Sequence, residues 1–112
     1  MLNQDFHCAL DVTMHYIGGK WKGVVLWYLR NGKKRFGELK SSIPDITDKM
    51  LSLQLKALEE DGIITRTVYA EIPPRVEYEL TQEGQTLMPV IESIAQWGRD
   101  KAQQVGRLVE ME

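Results

Sequence analysis

The stretch RFGELKSSIPDITDKMLSLQLKALEEDG, from Arg35 to Gly62, constrains this chain more than any other. It reads as a short helix, a tight turn and a longer helix with defined ends. Phe36 and Leu39 give the short helix an apolar side, and Ile43-Pro44 ends it. Proline has no N–H to extend a ladder and pushes the residue before it out of the helical region. Thr47 then stands at an N-cap position, where its hydroxyl can accept an N–H that the first turn leaves unpaired. Ile46 and Leu51 have the spacing of a hydrophobic staple across that cap, and Gly62 occupies the place of a C′ residue. Leu51, Leu55 and Leu58 recur at helical spacing and mark the buried side. Two helices joined in this way form a helix-turn-helix over residues 36–61, which offers its second helix to a DNA major groove.

The flanking segments fill in around this unit. FHCALDVTMHYI, ending at Ile17, reads as a first helix stopped by Gly18-Gly19. KWKGVVLWYLRN, residues 20–31, reads as a second helix. Its stripe of Trp21, Val24, Val25, Tyr28 and Leu29 is wide enough to require burial on two sides. After the helix-turn-helix, ITRTVY and RVEYEL form a hairpin over residues 64–80 with its tip in AEIPP. The second strand alternates Val76, Tyr78 and Leu80 with Arg75, Glu77 and Glu79, the pattern of a half-buried strand. Thr81 caps a C-terminal helix expected over residues 82–110. Leu87, Ile91, Ile94, Ala102, Val105 and Val109 lie along one face of it, and Pro89 is expected to kink or split it. The expected fold is mainly α with a small β-hairpin, an α+β winged helix-turn-helix in a single domain spanning residues 1–112.

Composition narrows the function classes. The net charge of −2 is unevenly spread: residues 1–56 hold nine Lys/Arg against five Asp/Glu, and residues 57–112 five against eleven. The basic half is the one that contains the helix-turn-helix, which suits a nucleic-acid partner. The single cysteine, Cys8, excludes an intrachain disulfide and fits a reducing compartment. No apolar run approaches membrane-spanning length, and MLNQDFHCALD lacks the basic and apolar regions of a secretory leader, so a cytoplasmic protein without membrane partners is expected. There is no nucleophile–base pairing, phosphate loop or paired carboxylate at a meaningful spacing, so no enzyme and no cofactor is expected. Cys8, Asp11 and His15 share a helix face at i, i+3 and i+7, but three mixed ligands without a second cluster fall short of a metal site.

Four segments together resemble the HxlR-type family of MarR-like winged-helix transcription regulators. They are IGGKW (17–21), RFGEL (35–39), ITDKMLSLQLKALEEDGII (46–64) and PPRVEYELTQEGQTLMPVI (73–91). The resemblance covers about nine-tenths of the chain, and spaced motifs occurring jointly are far more specific than any one alone. It implies a bacterial-type regulator that binds a palindromic operator as a homodimer, dimerising through its N- and C-terminal helices. Some members respond to electrophiles or oxidants through an N-terminal cysteine, whose position Cys8 holds. Two departures stand out. Ala9 follows that cysteine where the family commonly has proline, and Leu53 stands where the recognition helix is usually polar.

On an ideal helix with Leu51 at the centre of the buried side, Lys49, Leu53, Lys56 and Glu60 point away from it and Ser52 lies on the flank. Lys49, Ser52 and Leu53 are therefore the candidates for base readout, with Gln54 within reach of an adenine edge and Thr47 at a phosphate-binding helix start. Lys33, Lys34, Arg35 and Lys40 flank the short helix as phosphate positioners, with bracing of the wing or of the Glu38 carboxylate as the alternative for Arg35. Arg66 and Arg75 sit on the hairpin, with Arg75, beside Pro73-Pro74, the preferred wing contact. Met14, Ile17, Ile94, Trp97, Val105 and Leu108 are surplus to a small core and make up the expected dimer interface. Cys8 is the candidate redox sensor, answering to a small electrophile or other inducer. A small ligand near Trp21, Trp27 or Tyr16 at the dimer junction is a further partner class. The alternative reading is a dimeric interaction or redox-adaptor module without specific DNA binding, which the acidic second half would suit.

Overall fold

Residues 5–106 and 108 are described by a computed structural model. The helix-turn-helix consists of α3 (Phe36–Ser42) and α4 (Asp48–Glu60). Thr47 Oγ1 accepts the Met50 amide at 3.0 Å and opens α4 as an N-cap. The other end closes with two nested bonds. Gly62 N–H donates to the Glu59 carbonyl and Ile63 N–H to the Leu58 carbonyl, at 3.0 and 2.9 Å. Gly62 sits at φ +76°, a left-handed conformation that costs glycine nothing. Ile63 is thereby folded back onto Leu58, and both are buried.

Two helices precede this unit, α1 (Ala9–Ile17) and α2 (Lys22–Tyr28). The expected second helix is shorter at both ends, and its stripe is only partly as read: Val25 and Leu29 are buried and Trp21 and Tyr28 half-buried, but Val24 is exposed and Leu26, outside the stripe, faces the core instead. Val25 and Leu26 are fully buried, and α2 meets α1, α3, α4 and a C-terminal helix. It is the central element of a core that includes Leu29, Leu39, Ile43, Ile46, Leu51, Leu55 and Leu58. Each such leucine contributes about 1.5–3 kcal/mol through its burial.

The hairpin pairs β1 (Ile64–Tyr69) with β2 (Arg75–Leu80) in antiparallel register, from Ile64 opposite Leu80 to Tyr69 opposite Arg75. Tyr78 and Leu80 are buried, as their alternation predicts. A third, one-residue strand was not expected. Lys34 exchanges both backbone hydrogen bonds with Tyr78, at 2.9 and 2.8 Å, and ties the loop before α3 to the wing.

The C-terminal helix is split, as Pro89 predicts, into α5 (Gln82–Thr86) and α6 (Met88–Val105). Pro89 lies in the first turn of α6, where a missing N–H interrupts no intrahelical bond. Thr81 caps α5, its Oγ1 accepting the Gly84 amide at 3.0 Å. The same hydroxyl lies within hydrogen-bond reach of the Gly62 and Ile63 carbonyls, to either of which it can donate. At Gly84 a Cβ would collide with the Ile63 carbonyl oxygen, so only glycine lets α5 lie so close to the turn that ends α4.

Two expectations change here. The C-terminal helix does not run to residue 110: α6 ends at Val105, Gly106 leaves helical geometry and Leu108 lies beyond the helix. Val109 falls outside the described residues. Ile17 is not surplus apolar surface. It is only 7% exposed, because the last turn of α1 packs it into the protomer's own core.

Candidate nucleic-acid interface

The face of α4 turned away from Leu51, Leu55 and Leu58 is open. Lys49, Ser52, Leu53 and Lys56 are all exposed, and Leu53 keeps 51% of its surface in solvent. This is the face the leucine spacing predicts, and its apolar member is a real surface side chain. Neither Lys49 nor Lys56 makes an ion pair among the described residues. Gln54 is half-buried and donates to Met50 Sδ at 3.1 Å. Thr47 is exposed at the start of α4, beside the unpaired amides of the first turn.

The basic residues around α3 differ in their freedom. Arg35 is exposed, and its backbone N–H, not its guanidinium, donates to Glu38 Oε1 at 2.8 Å. Lys40 Nζ reaches the Pro44 carbonyl at 3.4 Å, within the turn of the motif. Lys34 is held by its backbone pairing with Tyr78. Lys33 Nζ lies 3.9 Å from Glu77 Oε1. Its ammonium is held above the ordinary lysine range by Tyr69 first and then by Glu79 and Glu77.

The wing departs most from expectation. Arg75 does not project as a free cation at the tip. Its guanidinium lies over the Tyr69 ring, 4.0 Å from the centroid, and pairs with Glu71 at 3.0 Å and Glu77 at 3.5 Å. The tip itself carries Ile72, fully exposed, and no cation. The strand alternation already placed Arg75 and Glu77 on one side of β2, and that is the signal from which the brace can be read. Tyr69 joins through the register, which sets it opposite Arg75. Arg66 on β1 is different: it is exposed, makes no ion pair among the described residues, and shares a cleft of about 310 Å³ with Ser52, Lys56, Glu59 and Tyr78.

A second surface involves neither α4 nor the hairpin. Met14, Val24, Trp27, Tyr28, Ile91, Ile94 and Leu108 line an apolar groove of about 510 Å³ between α1, α2 and α6, with Ile17 among its lining residues. Trp97 is 69% exposed, and Met14, Ile94, Val105 and Leu108 are exposed as well. These exposed apolar side chains come mainly from α1 and α6, and Met14, Ile94 and Leu108 border the groove itself. Arg30, which carried no expectation, stacks on Trp27 at 3.7 Å and donates to the Trp27 carbonyl at 2.8 Å.

Cys8 is exposed, in extended backbone immediately before α1. Asp11 Oδ2 accepts the His7 amide at 3.1 Å, and His15 faces Asp61 at the end of α4. No group of three or more His, Cys, Asp or Glu among the described residues is arranged to hold a metal ion. No helix among them is long and apolar enough to cross a membrane.

A family described as HxlR-like helix-turn-helix matches residues 16–105. The chain is similar to the HTH-type transcriptional regulator YdeP of Bacillus subtilis (strain 168), with 48% identity over 107 residues, 95% of this chain and 84% of YdeP. Among solved structures it is similar to the redox regulator HypR in its oxidised form. The TM-score is 0.81 and the identity 47%, over 83% of this chain and 96% of that one. It is also similar to the reduced form of the transcriptional regulator YodB from B. subtilis, with a TM-score of 0.73 and 34% identity over 91% and 100% of the two chains.

Proposed function

The chain belongs to the HxlR-like helix-turn-helix family of transcriptional regulators, and from that premise we propose that it binds a palindromic operator as a homodimer under the control of Cys8. The observation that carries the operator reading is the polarity of α4. One side is sealed in the core by Leu51, Leu55 and Leu58, and the other presents Lys49, Ser52 and Leu53 to solvent. The N-terminal half of a docked recognition helix meets base edges. Lys49 is suited to guanine O6 and N7, Ser52 to a permissive hydrogen bond, and Leu53 to a thymine methyl, with Gln54 in reserve for adenine. Thr47, Lys33, Lys34, Arg35, Lys40, Lys56 and Arg66 position the backbone of the duplex. Arg75 braces the wing.

The apolar faces of α1 and α6 support the homodimer. Met14, Ile94, Trp97, Val105 and Leu108 offer a second copy the exposed surface that a self-complementary two-fold contact needs. A two-fold pair would set its recognition helices about one DNA turn, roughly 34 Å, apart. For the signal, an exposed thiol outside the core is accessible to oxidants and electrophiles. HypR is named a redox regulator, which lends weight to the same chemistry here. With one cysteine per chain, two thiols of a dimer can be oxidised to an intersubunit Cys8–Cys8 disulfide, or one thiol can be capped by a small thiol or alkylated.

The test is to select duplexes from a random-sequence pool with the wild-type chain and measure their affinity at several salt concentrations. A dyad-symmetric site with steep salt dependence is expected, weakened by Lys49→Ala. Binding without sequence preference would reject the operator reading.

A further inference from the structure

We infer that Lys56 and Arg66 hold one and the same DNA backbone phosphate, in the cleft between α4 and the wing. This rests on the operator reading above and deepens it. Ser52, Lys56 and Glu59 follow one another at i, i+4 and i+7 along α4, and so share one helix face. Arg66 stands on β1 opposite Tyr78. All five residues line a common cleft of about 310 Å³. Two cations from two different elements thus open into one volume. Neither is committed to an ion pair among the described residues, although the Glu59 carboxylate lines the same cleft.

Duplex geometry supplies the occupant. With α4 in the major groove and the hairpin over the adjoining minor groove, the strand of backbone that separates the two grooves runs between helix and wing. The mouth of the cleft lies on that path. Its lining matches a phosphodiester: a guanidinium fork for two oxygens, an ammonium as a point charge and the Ser52 hydroxyl as a neutral donor. The wing's other arginine is held by Tyr69, Glu71 and Glu77, so the hairpin's free positive charge lies at its base, next to the recognition helix. A phosphate held from both sides makes the register of α4 and the position of the wing depend on one another.

The test uses the full chain and the duplex it selects from a random pool. Lys56→Ala, Arg66→Ala and the double variant are compared by the dependence of log affinity on log salt. For a shared phosphate, each single variant binds more weakly with little change in slope, since one cation still neutralises the site. The double variant then loses about 0.9 of slope per bound protomer, whereas two separate phosphates would lose about 1.8. A methylphosphonate scan of the duplex is expected to find one position in each half-site whose neutralisation silences both substitutions. Two positions in each half-site, one for each residue, would overturn the shared site. Glu59→Gln is expected to tighten binding by removing the cleft's negative charge, and weaker binding would argue against an anion there. If the wild-type chain selects no sequence at all, it is the operator reading that fails. If it binds with normal salt dependence but the substitutions act at separate phosphates, only the shared site fails.

Discussion

His15 Nε2 in α1 lies 3.5 Å from Asp61 Oδ2, the C-cap residue of α4. The two side chains join the helix that follows Cys8 to the end of the recognition helix. His15 is held edge-on by Tyr16, with ring centroids 4.9 Å apart, and its Nε2 is shielded from solvent without a hydrogen bond of standard geometry. Replacing either partner leaves the other partly buried and alone, so His15→Ala and Asp61→Ala should each cost on the order of 1 kcal/mol. In a domain of this size that lowers the melting temperature by roughly 4–8 °C. A double-mutant cycle by thermal unfolding checks it, and full additivity would mean that the pair contributes nothing.

Arg75→Ala removes the group that stacks on Tyr69 and pairs with Glu71 and Glu77. The wing should loosen, and operator affinity should fall several-fold with the salt slope unchanged. A slope shallower by about 0.9 per protomer would make Arg75 a phosphate ligand instead.

Ile94 and Trp97 are large apolar residues open to solvent on α6. Charges at both, Ile94→Glu with Trp97→Glu, should give a folded monomer in sedimentation at micromolar concentration, because two carboxylates cannot be desolvated in a dimer seam. Operator affinity should drop at least tenfold, since each half-site would then be bound independently. A wild-type chain that already sediments as a monomer would remove the basis for this surface's role.

Cys8→Ser should keep operator affinity and lose release by a quinone or by diamide. The wild-type chain should gain either a disulfide-linked dimer on a non-reducing gel or the mass of an adduct. Release that persists in the serine variant would rule out the thiol as the sensor.

Local rules account for most of what could be read beforehand. Thr47, Gly62, Pro89 and the leucine repeat each act through bonds or contacts within a few residues, and the helix ends they predict are those observed. Strand alternation likewise assigned Tyr78 and Leu80 to the core. At Ile17 spacing alone misleads, because an apolar residue at the end of a short helix has the same spacing whether it faces its own core or a partner.

The chain by itself determined the elements, their caps and the open face of α4, since these depend on neighbours in sequence. Only the tertiary structure decided which charges are free. Arg75 and Arg66 are both arginines on wing strands; alternation sets Glu77 beside Arg75, but the Tyr69 contact and the cleft at Arg66 depend on pairing and packing. The register that sets Tyr69 opposite Arg75 draws one into a brace, while the packing of α4 beside β1 leaves the other facing Lys56 across a shared cleft. The His15–Asp61 approach likewise spans residues far apart in the chain, and it exists because α1 and α4 both pack against α2.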